Sequence, residues 1–510
     1  MLRRLVSRWR RKSQAATTGP VPLDGGIAAF QQYDSGDLYP PHDFGPVMRD
    51  HAAQQAIAMF NRGRFAAARE SLDACDVGAE GARDCAALLR AHALREELRF
   101  EEALGALEIA SANGRPPLRA RAMQCELLYC LGQFAKAREI FDAITGADNL
   151  TARGIALIRG QLAEARGDSD GAISAYRESL AHFPRIALAR SNLGYALIRA
   201  GSQAEGYAQL RRAAFETGFL PMERGSPVWA GEPLDERPLL LVAEFGQGDM
   251  IQYLRYAGVL RSRLTGTPLW LKAPASLHAL ARNTGWFDRI VGSEHAFDQG
   301  FHTPLMQLPS ILGIERNSWP LSFPYFLPAP AAVEKFAPLL EPAKHLPLIG
   351  LCWAGKAGEI DARRSMNLAK LSPLLQEFST RACFVSLQLG PAAAQIDELP
   401  LSIRPFDPTV ELVDFAATLA LCTRLDLVIS VDTAVAHVAA AADMPVWLLS
   451  RPDVSWHWET RGLAGDTPVV GFYPRVRVFR HPAGDLDWTA VVQELRPELE
   501  KWLTLRAAAA

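Results

Sequence analysis

The chain has 510 residues, of which 49% are hydrophobic and 22% charged, with a formal net charge of −2. That length exceeds what one hydrophobic core can serve and suggests about three domains, and the near-neutral charge excludes a global pull toward nucleic acid. No run approaches the roughly 20 apolar residues of a membrane span, and an odd set of seven cysteines without a CxxC argues against zinc or a disulfide framework and for a reducing cytoplasm.

The first segment, MLRRLVSRWRRKSQ, places Leu2, Leu5, Val6 and Trp9 at helical spacing among five arginines and Lys12. Two readings stay open: a solvated basic tail, or an amphipathic helix lying on an anionic membrane, which would put a cytoplasmic protein on the inner membrane face. Residues 15–46 are rich in Gly, Pro, Asp and Tyr without periodicity and read with that tail as a linker. From residue 47 to 218 the chain repeats itself. Small residues stand at Ala68, Ala103, Ala137, Ala172 and Gly206, spaced 35, 34, 35 and 34. Four residues after each comes a large apolar one: Leu72, Leu107, Phe141, Tyr176 and Leu210. Gly63, Gly132, Gly167 and Gly201 stand five residues before their small residue, and Leu98 takes that place in the second unit. A period near 34 in this order is the tetratricopeptide pattern, paired helices stacked into a solenoid of about five units. The array offers either a groove for a peptide or protein or a spacer and oligomerisation surface.

Past a proline-containing connection at 219–236 the pattern alternates. The run 239–245 reads as a strand buried on both faces, followed by a Gly-rich turn and an amphipathic helix. A strand at 268–272, a helix at 274–283 and a strand around Ile290 complete a first parallel unit, 219–335. Seven prolines between 320 and 347 mark a boundary. A second unit, 336–486, alternates likewise through HLPLIGLCWAG, LAKLSPLLQEF, ACFVSLQL, ELVDFAATLALC and MPVWLLS. A long amphipathic helix closes the chain at 487–510. The predicted fold class is α plus α/β: a helical solenoid, then two Rossmann-like domains in the GT-B arrangement.

The stretch LDLVISVDTAVAHVA, residues 425–439, concentrates the chemistry of the second unit. A buried strand ends at Asp432-Thr433, residue types that cap helices, and an Ala-rich helix follows. Thr433 and His437 are i and i+4, on one face of its first turn. Free N–H groups at such a terminus suit a phosphate or diphosphate. In the first unit, Gly246 and Gly248 flank Gln247 in the turn after the strand and precede Asp249. This loop at a strand's carboxyl end opens into the crevice of a doubly wound fold. Asp249 there is either a general base or a helix cap.

Residues 237–482 resemble the bacterial glycosyltransferases related to lipopolysaccharide heptosyltransferases (glycosyltransferase family 9-like), in the version fused to tetratricopeptides. The resemblance rests on EFGQGDMIQYLRYA at 244–257, SLQLG at 386–390 and DLVISVDTAVAHVAAAADMPVWLL at 426–449. Looser matches are WAGKAGEIDARRSMNLAKL at 353–371 and YPRVRVFRHP at 473–482. It implies inverting sugar transfer from a nucleotide-sugar donor to a protein or glycan acceptor, without a metal or other cofactor and without nucleic acid. Asp249 matches the family's base, with Gly246, Gln247 and Gly248 on the acceptor side. Asp432, Thr433 and His437 match its diphosphate turn, and Ala434 stands where a glycine is common. Arg364 best matches the basic residue of the second unit, with Lys356 and Arg363 as competitors. Gln388 is either a ligand of nucleobase or diphosphate or a turn-forming polar residue, and Trp456 and Trp458 either stack on base or sugar or pack in the core or a lid. For Arg475, Arg477 and Arg480 the default is a solvated strand face. A protein O-linked N-acetylglucosamine transferase, and a scaffold with a degenerate transferase domain, are the alternatives.

Overall fold

A computed structural model describes residues 51–509 except 74–79, 112–117, 145–148, 185, 217–222, 224, 245, 315–322, 357–360, 454–457, 459, 465–466, 471–472 and 483. The basic segment at 1–14, the linker at 15–46 and Trp456 lie outside the described residues. No described helix is long and apolar enough to cross a membrane.

Among the described residues, ten helices stand in consecutive pairs before the first sheet: α1 (His51–Asn61) with α2 (Phe65–Asp73), α3 (Glu80–Glu96) with α4 (Phe100–Ser111), and α5 (Leu118–Cys130) with α6 (Phe134–Asp142). The series continues with α7 (Asn149–Ala165) and α8 (Ser169–His182), then α9 (Ala187–Arg199) and α10 (Gln203–Glu216). The small residue of each unit is buried where the second helix crosses the first. The turn inside each pair needs a left-handed residue. Gly63, Gly132, Gly167 and Gly201 have φ of 72°, 75°, 75° and 95° there, and Leu98 adopts 65° in the second unit. The backbone thus keeps the repeat where the residue type breaks it. Close approach sets a second limit: a methyl on Gly160 would stand 2.4 Å from Cε1 of Tyr176. Gly160→Ala is therefore expected to destabilise the array by about 1–3 kcal/mol, the range for overpacking, read as a lower denaturation midpoint.

The first α/β unit is a four-stranded parallel sheet in the order β3-β2-β1-β4, built from β1 (Leu239–Val242), β2 (Leu269–Lys272), β3 (Arg289–Val291) and β4 (Phe301–Pro304). Helices α11 (Gln247–Arg263) and α12 (His278–Arg282) connect its strands, α13 (Leu308–Ile311) follows β4, and α14 (Pro330–Leu340) leads out. β4 was not expected, because FHTP has neither alternation nor an apolar run and ends in proline. Proline is tolerated here because β4 is an edge and Pro304 its last residue. The expected strand 239–245 stops at Val242, and the expected helix 274–283 is a 3₁₀ turn followed by α12.

The second unit is a five-stranded parallel sheet in the order β11-β8-β7-β5-β6, from β5 (Leu348–Cys352), β6 (Cys383–Ser386), β7 (Leu427–Val431), β8 (Val446–Ser450) and β11 (Val476–Arg480). A hairpin of β9 (Thr460–Ala464) and β10 (Thr467–Val470) precedes the last strand. Its helices are α15 (Asp361–Arg364), α16 (Ser372–Phe378), α17 (Phe415–Cys422), α18 (Ala434–Ala441) and the terminal α19 (Trp488–Ala509). One face of this sheet packs on α19 through Val491, Leu495 and Leu499. The other shares a continuous core with the first sheet and with Ile198, Tyr207 and Leu210 of the last repeat.

Each strand order contains one reversal. In the first sheet it falls between β1 and β4, in the second between β5 and β7, and crevices at such switch points open at the carboxyl ends of the strands. The two crevices face each other across α11 and α18, which pack together.

Candidate active site

From the first sheet, the chain leaves β1 and starts α11 with Gly246 at the N-cap and Asp249 at the third helical position. The Asp249 carboxylate accepts from the Gly246 N–H at 3.1 Å, so the residue does cap its helix. One oxygen makes that bond. Burial pushes the carboxyl up to about 6; Asp432 across the cleft adds to the rise, and the Gly246 N–H and the Arg364 guanidinium oppose it. Glu244, which sequence reasoning passed over, accepts from the N–H groups of Leu305 and Met306, both at 3.0 Å, and so ties β1 to the end of β4. Burial raises its carboxyl to about 8 despite those bonds. Its signal was an acidic residue two positions beyond a buried strand. Tyr195 of α9 brings the last repeat to the same place: burial raises its hydroxyl, and the charges of Asp249 and Glu244 raise it further. Gln247 points elsewhere, donating to Ser276 Oγ at 2.8 Å.

From the second sheet, Thr433 is the N-cap of α18 but makes no side-chain cap bond. Its hydroxyl lies 3.0 Å from Ser430 Oγ and 3.6 Å from Cys352 Sγ, which joins the ends of β7 and β5. Asp432 accepts from the Trp458 indole N–H at 2.8 Å. His437 is buried against Trp458, with centroids 4.5 Å apart, and against Tyr473. Its Nδ1 is 2.9 Å from the Tyr473 hydroxyl. That hydroxyl is 3.4 Å from Tyr325 Oη, which accepts from the Arg255 guanidinium at 3.1 Å. Arginine only donates. Arg255, Tyr325, Tyr473 and His437 thus form one line of hydrogen-bonding groups ending at Nδ1 of the imidazole.

Gly248 and Ala434 are where the halves meet. A methyl on Gly248 would stand 2.8 Å from His437 Cδ2, 3.3 Å from Nε2 and 3.5 Å from Ala434 Cα. The Nε2 edge of His437 therefore faces the N-terminus of α11.

Arg364 lies over Gly355 in the loop after β5: a methyl on Gly355 would be 2.5 Å from Arg364 Nε, and the guanidinium donates to the Lys356 carbonyl at 3.1 Å. That loop is closed by bonds from Gly355 N–H to Ser365 Oγ at 2.8 Å and from Met366 N–H to Trp353 O at 2.9 Å. Arg363 turns the other way, buried in an ion pair with Asp453 and stacked 4.2 Å over the Tyr129 ring. Of the two competing arginines, Arg364 alone is directed at the crevice.

Gln388 and Trp458 take the structural of their two readings. Gln388 is buried and its amide is fully used: Oε1 accepts from Trp353 and Ala354 N–H at 3.0 and 2.8 Å, and Nε2 donates to Ala354 O and Leu389 O at 3.0 and 2.9 Å. It holds the loop after β5 and has no bond left for a base or phosphate. Trp458 is fully buried, packed on His437 and Tyr473, so its face is not offered for stacking on a ligand. Arg475 donates to Asp443 O and Arg477 pairs with Glu498 of α19, in line with a strand-face role.

No family model and no curated protein matches the chain. Among solved structures it is similar to the ADP-heptose lps heptosyltransferase II of E. coli, at 14% identity, with 53% of this chain and 99% of that one covered and a TM-score of 0.38. It is similar also to a family 9 glycosyl transferase from Veillonella parvula, at 10% identity over 50% and 88% of the two chains with a TM-score of 0.37. The O-GlcNAc transferase of Thermobaculum terrenum covers more of it, 83% against 94% of its own chain, at 13% identity and a TM-score of 0.30.

Proposed function

We propose that the protein is an inverting glycosyltransferase that moves a sugar from a nucleotide-sugar donor to a hydroxyl of a protein or glycan acceptor. Its paired helices act as tetratricopeptide units that recruit the acceptor, and its two sheets act as a GT-B pair. The observation that carries this reading is the placement of a carboxylate held near pH 6 at one switch point against an uncapped helix N-terminus, an imidazole and an arginine at the other.

In this reading Asp249 takes the proton of the acceptor hydroxyl, whose oxygen forms the new bond to the anomeric carbon as the bond to the diphosphate breaks on the opposite face. The leaving diphosphate meets the N–H groups at Thr433 and Ala434, the Thr433 hydroxyl, the His437 imidazole and Arg364. These fixed donors do the work that a metal would do elsewhere. Asp432, held by Trp458, orients donor hydroxyls. A base titrating near 6 works only above that pH. The rate constant kcat/KM for acceptor is expected to fall about tenfold per unit below pH 6 and to level off above it. The test is a thermal-shift screen with UDP, GDP, ADP, CMP and their sugar conjugates, followed by pH-rate profiles with the sugar that stabilises. Failure of every nucleotide to raise the unfolding temperature would sink the proposal.

A further inference from the structure

The third helix pair touches the second sheet at two places, and both lead to the same loop. At the first, the Tyr129 hydroxyl of α5 donates to Asp453 Oδ2 at 3.1 Å, beyond the end of β8, and the Tyr129 ring lies under the Arg363 guanidinium, 4.2 Å from its centroid. Arg363 and Arg451 both pair with Asp453, and all four side chains are buried. Burial alone would raise the Asp453 carboxyl, but the two arginines and the Tyr129 hydroxyl hold it below its ordinary value, so the carboxylate is ionised. At the second, the left-handed turn after α5 presents the Gly132 carbonyl to the Leu486 N–H at 2.9 Å, and Asp485 accepts from the Ala135 N–H at 2.7 Å. Gly132 leaves no room for a side chain, since a methyl there would be 2.8 Å from Leu486 Cβ.

The two struts converge. Arg363 is covalently next to Arg364, whose guanidinium covers Gly355. Leu486 is two residues from Trp488, whose indole N–H donates to Ser365 O at 3.1 Å, and Ser365 Oγ accepts from the Gly355 N–H at 2.8 Å. One turn of the helical array therefore braces Arg364 and Ser365 against Gly355 from two directions.

We infer that Tyr129 and the Gly132 turn are positioning elements for the donor diphosphate, holding Arg364 over Gly355 so that donor binding depends on docking of the helical array. This rests on the glycosyltransferase reading for the identity of the ligand, but not for the mechanical link. A contact that served only to join domains would affect both substrates or neither; this one acts on the donor side.

The experiment compares wild type with Tyr129→Phe and Tyr129→Ala in the full chain. Hydrogen exchange at Gly355 and Met366, whose amides close the loop, is expected to accelerate at least tenfold in Tyr129→Ala and less in Tyr129→Phe, which keeps the ring under Arg363. Donor KM, and Kd for whichever of UDP, GDP or ADP binds wild type, are expected to rise about tenfold in Tyr129→Ala with acceptor KM unchanged. Unaltered loop exchange in both variants overturns the link whether or not any nucleotide binds. Faster exchange with unaltered donor constants, or an equal rise in both KM values, overturns the positioning role. Wild type binding none of the nucleotides would instead defeat the glycosyltransferase reading and leave the exchange result to decide the link. Should Tyr129→Ala not fold, Tyr129→Phe decides alone, with a rise in donor KM of about threefold expected and no change overturning it.

Discussion

Asp249→Asn is expected to lower turnover by about 10²–10⁴-fold, the usual share of a general base, and at the same time to stabilise the protein at neutral pH. The carboxyl is held at about 6 against an ordinary 3.8, mainly by burial. A folded-state pKa raised in this way favours the protonated form. The group's contribution is most favourable below pH 4, weakens as pH rises through 6, and is then a cost of at most about 3 kcal/mol for a two-unit shift. The half-buried position of the side chain reduces that figure. Asparagine keeps an oxygen for the Gly246 N–H, so the cap survives while the charge is removed. Denaturation midpoints at pH 5 and pH 8 check the sign, since the gain over wild type should be larger at pH 8. A variant that is both as active and no more stable than wild type would remove Asp249 from the base role.

The second large effect concerns Arg363. Replacing it with alanine leaves Asp453 ionised, buried and short of its main partner, at a cost of about 3–5 kcal/mol. The triple change Arg363→Met, Arg451→Met and Asp453→Leu should recover most of that loss, because it removes every charge of the buried cluster. Chemical denaturation of wild type, Arg363→Ala and the triple variant measures the recovery. Equal losses in the single and triple variants would mean that packing on Tyr129, and not charge, dominates the joint.

The parts of the fold that could be read from sequence are those whose signal is local. Runs such as LLLV and LVISV are apolar on both faces and form central parallel strands; the 34-residue spacing holds because each small residue is a helix crossing. β4 was hidden because an edge strand of FHTP needs only one neighbour to define it. The site was legible as two loops, Gly246–Asp249 and Asp432–His437, but not as a network. Gln388 reads as a polar residue at a strand end, and only the fold brings Trp353 and Ala354 to its amide. Arg363 and Arg364 are chemically identical neighbours, and their division of labour is fixed by Tyr129, more than 200 residues away in the chain. Trp458 offered an aromatic face in sequence, yet the fold spends it on His437.

The core that runs from Tyr207 and Leu210 through Tyr253 and Leu254 into Val435 and Val438 has a consequence during synthesis. The earlier helix pairs fill their apolar clusters with the first helix of the next pair and can settle as they leave the ribosome. The last pair cannot. Its tyrosine and leucine stay exposed until α11 emerges about 40 residues later, and that helix in turn waits for α18, nearly 180 residues further on. The nascent chain must therefore carry an unfinished apolar face through most of the second half of its translation. Truncations placed between α11 and α18 should consequently be captured by chaperones, while those ending after α9, which completes the preceding cluster, should stay free of them.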